Sequence, residues 1–134
     1  MPTLNLRIAP LQDPERYQAL AVALTHITAD TMGKRAEVTA VLIDELPAAR
    51  WHVGGHEVQR PTALLETSIT AGTNTAAQKA EFIEAAFAEL QRQLAPGGSL
   101  EEASYVIVRE VPASDWGYSG QTQQARQLAP QPCL

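Results

Sequence analysis

The sequence predicts an α/β protein of the α+β type: two β-α-β units in tandem, forming a four-stranded mixed sheet with two helices on one face. Three observations predict it. First, Ile43–Gly55 aligns without a gap on Val108–Gly120, with Glu, Pro, Ala, Trp and Gly recurring 65 positions apart. Five identities in one register, both tryptophans of the chain among them, indicate a duplication. Second, each half runs from a strand pattern through a helical stripe to a second run of branched apolar residues. Third, the segment between the two strands of a unit holds a long helix, and such a crossover makes the strands parallel.

The elements follow in order. Leu4, Leu6 and Ile8 alternate with Asn5 and Arg7, the period of a half-buried strand. Asp13 before Pro14 is an N-cap followed by a proline suited to the first helical turn. Tyr17, Leu20, Ala21, Leu24, Ile27 and Thr28 fall at helical spacing, and Gly33 ends the helix. Val38–Leu46 is almost wholly apolar and reads as a buried strand. His56–Thr62 joins the units. Ala63–Ile69 reads as a strand, Gly72–Thr75 as a turn with capping residues, and Ile83, Ala86, Phe87, Leu90 and Leu94 as a helical stripe with Phe82 beside it. Pro96-Gly97-Gly98 stops that helix, and Tyr105–Val111 is the last strand. The domain is expected over residues 1–120, with a first unit at 1–55 and a second at 63–120. The Gln- and Pro-rich tail, 121–134, is expected to lack regular structure.

Composition narrows the function classes. A chain of 134 residues, 45% hydrophobic, builds one domain with a core. Its net charge of −5 and the lack of a Lys/Arg cluster argue against nucleic acid as a partner. No apolar run is long enough to span a membrane, and the start lacks a signal-peptide pattern, so a cytoplasmic protein is expected. Cys133 is the single cysteine, which leaves no internal disulfide. His26, His52 and His56 lack zinc-ligand spacing, so neither a metal nor a cofactor is expected. Strand Val38–Ile43 is apolar on both faces while helices cover one. Copies of the same chain would cover the other, which predicts a closed ring, a homotrimer; the alternative is a monomer whose tail covers that face.

The residue with the most chemical content is Pro2. Removal of Met1 leaves Pro2 with a secondary amine fixed in a ring. Apolar surroundings cost an aminium its hydration and favour the neutral base.

Pro2, the duplicated unit, and Trp51-His52-Val53-Gly54-Gly55 after the tract Val41-Leu42-Ile43-Asp44-Glu45 together resemble the tautomerase superfamily. The first unit resembles the short 4-oxalocrotonate tautomerases. The length and duplication resemble the longer and fused members, and Ser114-Asp115-Trp116 is similar to the decarboxylating ones. The resemblance spans about residues 2–120. It implies that Pro2 is the catalytic base, or a cationic acid if the reaction is hydrolytic or decarboxylating. It also implies an aromatic wall at Trp51 and pocket positions at Thr3, Ala9, Val38 and Val53.

The chain departs from the pattern where the family holds a substrate carboxylate. The two family arginines fall on Gln12 and Ala40, and in the second unit on Thr73 and Tyr105. Ala63 stands where a second proline would, so one site per chain is expected to be competent. Tyr105, from the other half, is a candidate donor to an enolate oxygen, and in the family fold its position is expected to point toward Pro2. Arg7, Arg50 and Arg109 are candidate replacement cations, and His52 and His56 candidate mouth residues. Each also fits a plain role, as a strand tyrosine, a solvated charge or a surface histidine, and Trp51 fits a core or interface position. The implied function is a keto-enol tautomerase or isomerase acting on a small enolisable keto acid. Two other readings stand beside it: a decarboxylase or hydratase/dehalogenase of short keto or unsaturated acids with a cationic proline, and a ring-shaped binding protein without chemistry.

Overall fold

A computed structural model describes residues 2–128. Cys133, the last residues of the tail and the fate of Met1 lie outside the described residues. Four strands form the main sheet: β1 (Thr3–Ala9), β2 (Ala40–Glu45), β5 (Thr62–Thr70) and β6 (Tyr105–Val111), in the order β2-β1-β5-β6. β1 pairs with β2 in parallel and β5 with β6 in parallel, whereas β1 and β5 meet antiparallel in the middle. Helix α1 (Pro14–Met32) crosses from β1 to β2, and α2 (Ala76–Leu94) from β5 to β6. Each is 19 residues long.

The two halves match element for element. Thr3 pairs with Ala40 as Leu64 pairs with Tyr105, so Pro2 and Ala63 hold equivalent positions. After β2 the chain forms a hairpin of β3 (His52–Val53) and β4 (His56–Glu57); after β6 it forms one of β7 (Gly117–Tyr118) and β8 (Gln121–Thr122). Every strand residue of the second hairpin lies 65 positions beyond its counterpart. Both turns are two residues long with positive φ, Gly54 and Gly55 at 62° and 81°, Ser119 and Gly120 at 52° and 79°. That backbone matches the twist of a hairpin, and glycine adopts it without a Cβ penalty.

The core lies between the sheet and the helices. Leu4, Leu6, Ile8, Leu65 and Ile69 meet Leu20, Leu24, Phe82, Ala86 and Leu90, all buried. Thr75 caps α2 reciprocally with Gln78, two hydrogen bonds at 3.1 and 2.9 Å that satisfy otherwise unpaired amides. Gly33 ends α1 in the left-handed region, at φ 67°.

Four expectations need correction. Val38 lies in a 3-10 turn, Ala36–Val38, because the chain must leave α1 before it can enter the sheet; β2 therefore begins at Ala40. On α2, Ala86, Leu90 and Leu94 are buried as expected, but Phe82 rather than Ile83 begins the stripe: Phe82 points into the core and Ile83 is 39% exposed. The linker His56–Thr62 begins as a hairpin strand. The tail also has regular structure: β8 and a short helix, α3 (Gln123–Leu128), with Gln123 N–H on Trp116 C=O at 2.9 Å. No described helix is long and apolar enough to cross a membrane.

Phe82→Ala leaves a cavity at the helix–sheet contact. It is expected to lower unfolding stability by about 3–5 kcal/mol, measured by urea titration, whereas Ile83→Ala costs much less.

Candidate active site

The antiparallel β1–β5 pairing decides what surrounds Pro2. On the helix-free face the side chains stand in rows across the sheet. One row is Ala40, Thr3, Ser68, Arg109; the next is Leu42, Asn5, Glu66, Ile107; the third is Asp44, Arg7, Leu64, Tyr105. Pro2 is buried beside the first row, its carbonyl accepting the Ala40 N–H at 3.2 Å. Val38 stands half-buried in the turn before Ala40. Arg109 occupies the far end of the same row, and its guanidinium donates to Glu66 at 2.8 Å.

The second hairpin comes to this end as well, since β6 finishes here. Trp116 donates its indole N–H to Thr70 Oγ1 at 3.2 Å, two residues past Ser68. Ser114, Asp115, Trp116, Gly117 and Gln121 border a shallow cleft of about 290 Å³. Gly117 leaves no room for a side chain, because a Cβ there would lie 1.9 Å from the Gln121 carbonyl oxygen. Also at this end, Lys34 Nζ donates to Thr73 Oγ1 at 2.9 Å, and burial lowers its pKa below the ordinary lysine value.

The remaining sequence candidates gather at the opposite end. Arg7, Leu46, Arg50, Trp51, His52 and Leu64 line a cleft of about 300 Å³. Val53 and His56 stand opposite each other in the adjoining hairpin. Tyr105 pairs with Leu64 and is 63% exposed. The expectation that the second half of a chain turns Tyr105 toward Pro2 is therefore corrected. Within one chain the rows of Thr3 and Tyr105 are four residues apart along the strands, about 13 Å, with two strand spacings besides. Trp51, Arg7, Arg50 and Val53 are likewise at the far end from their own Pro2. The tryptophan that shares an end with Pro2 is Trp116, which sequence reasoning had not placed in the site. Its match to Trp51 at 65 positions was the available signal.

Ala63 is not a second base. Its nitrogen is a buried peptide N–H that donates to Ser104 Oγ at 3.0 Å.

Fold and site define a class: a double β-α-β chain whose reversed halves share one sheet, with proline heading one half and alanine the other. Comparison with known proteins agrees. The family model "Tautomerase enzyme" matches residues 2–60. Probable tautomerase K2 of Dickeya dadantii (strain 3937) is 36% identical over 61 residues, 43% of this chain and 88% of that protein. Among solved structures, the F6 fused 4-OT asymmetric trimer is similar over 92% of this chain and 98% of its own, at 28% identity and a TM-score of 0.80. Native fused 4-OT is similar over 92% and 97%, at 30% identity and a TM-score of 0.77. The chain belongs to the tautomerase superfamily, and its homologues there are enzymes.

Thr70→Val removes the acceptor of the Trp116 indole. A loss of about 0.5–1.5 kcal/mol in urea unfolding is expected, together with a shift of the Trp116 indole N–H resonance and none of Trp51.

Proposed function

We propose that the protein is a keto-enol tautomerase in which Pro2, freed of Met1, is the general base for a small enolisable keto acid. One observation carries the reading: of two equivalent strand starts, only Pro2 can become an amine, while the nitrogen of Ala63 is locked in a peptide hydrogen bond. The imino nitrogen of Pro2 takes the enol hydroxyl proton and delivers a proton to the other carbon of the enol double bond, so that the hydroxyl-bearing carbon becomes the carbonyl. Base and acid are then one group, and no net charge is left behind. Arg109 is the guanidinium in the row of Thr3 at this end. It exchanges its exposed contact with Glu66 for the substrate carboxylate, which suits a planar fork. Trp116 and Val38 supply apolar walls that exclude water from the proline.

The active form is proposed to be a homotrimer, in keeping with the fused 4-OT structures, which are described as trimers. The helix-free face of one chain leaves Leu42 56% and Tyr105 63% exposed, with Ile107 half-buried beside them. Burying a few hundred Å² of such surface yields several kcal/mol at about 25 cal/mol per Å².

Pro2→Ala is expected to lower proton exchange on phenylpyruvate by about two orders of magnitude or more while the protein stays folded and oligomeric. Undiminished turnover in that variant sinks the assignment. A base fails when protonated, so kcat/KM should fall on acidification. A fall on raising pH instead assigns a cationic proline and chemistry of the decarboxylase or hydratase class.

A further inference from the structure

The end of the sheet opposite Pro2 is a second built site, and we propose that it binds a small planar organic carboxylate without turning it over. The internal symmetry makes this end the twin of the Pro2 end: Leu64 corresponds to Thr3, Tyr105 to Ala40 and the Trp51 hairpin to the Trp116 hairpin. The chemistry at the two ends differs. At the strand start Ala63 offers no amine, so a ligand here meets no counterpart of the Pro2 nitrogen.

The groups that recognise an anion are nevertheless present. Arg7 and Arg50 converge on one cleft of about 300 Å³ with the Trp51 indole, His52, Leu46 and Leu64. Among the described residues neither guanidinium has a carboxylate within ion-pair distance. Asp44 stands beside Arg7 in the β1–β2 register without bonding it. Glu66, the other acid near Arg7, is held by Arg109. Two uncommitted guanidiniums can donate to a carboxylate in bidentate geometry, and an indole lining the cleft with two leucines covers a flat apolar body. The size and mix of the cleft fall at the small end of ligand pockets. This end of the sheet thus holds recognition groups, mostly from the first half, where it lacks the proline amine.

The test uses cinnamate, which is planar, carries one carboxylate and cannot enolise. The full-length protein is labelled with ¹⁵N at its tryptophan indoles, so that Trp51 and Trp116 report separately on the two ends. In Pro2→Ala, cinnamate should shift the Trp51 resonance saturably. In Arg7→Gln/Arg50→Gln, that binding should weaken about tenfold or more, with the free-state position of the Trp116 resonance unchanged as evidence of folding. Arg7→Lys/Arg50→Lys should recover part of the affinity, since it restores charge without the fork. The proposal is overturned if Trp51 shows no saturable shift or if the shift survives loss of both arginines. It is equally overturned if the shift appears with Pro2 intact and vanishes in Pro2→Ala, which would put the carboxylate at the proline.

Discussion

Antiparallel pairing of β1 with β5 is the constraint on which the rest of this molecule depends. Each β-α-β unit is parallel within itself, so a tandem copy can join the same sheet in only two ways. Pairing the first strands in opposite directions reverses the second unit end for end. The hairpin after β6 then arrives beside the start of β1, and the hairpin after β2 beside the start of β5. The register is pinned because Leu4, Leu6, Ile8, Leu65 and Ile69 must all face the helices. A slip of one residue would turn that whole set to the open side.

The reversal makes one scaffold with two ends that are alike in backbone and unlike in chemistry. At one end a proline heads its strand, with Arg109 and Trp116 supplied by the other half. At the other end a peptide N–H replaces the amine, and Arg7, Arg50 and Trp51 come from the first half. Duplication thus separates two properties that a single unit must combine. On the proposed function, the Pro2 end can keep its base while the other end changes, because the residues of each end are drawn from different segments of chain. The tautomerase superfamily membership of the chain and its similarity to fused 4-OT structures fit this division.

Much of the fold was legible in the sequence because periodicity and turn chemistry are local. The 65-residue repeat has its structural counterpart in paired turns: Arg50 N–H on Pro47 C=O at 2.9 Å and Asp115 N–H on Pro112 C=O at 2.8 Å. The later contacts of Trp51 C=O with Val58 N–H and of Trp116 C=O with Gln123 N–H match in the same way. The second of these ties α3 to the domain, which composition alone could not reveal in a Gln-rich segment. What the pattern did not carry was direction. Spacing says that Trp51 and Trp116 are equivalent but not which of them stands beside Pro2, since that depends on how the two units pair. The same gap misplaced Tyr105, and a spacing argument cannot tell Phe82 from Ile83 when both border a helical stripe.

The central claim is that each chain presents one free, reactive imino nitrogen at the buried start of β1. Exposure of the purified protein to an electrophilic acetylenic keto acid, 2-oxo-3-pentynoate, followed by mass-spectrometric mapping, tests it most directly. One adduct per chain, on the nitrogen of Pro2, is the predicted result. A proline left unmodified, a chain still headed by Met1, or a label carried by another residue contradicts it.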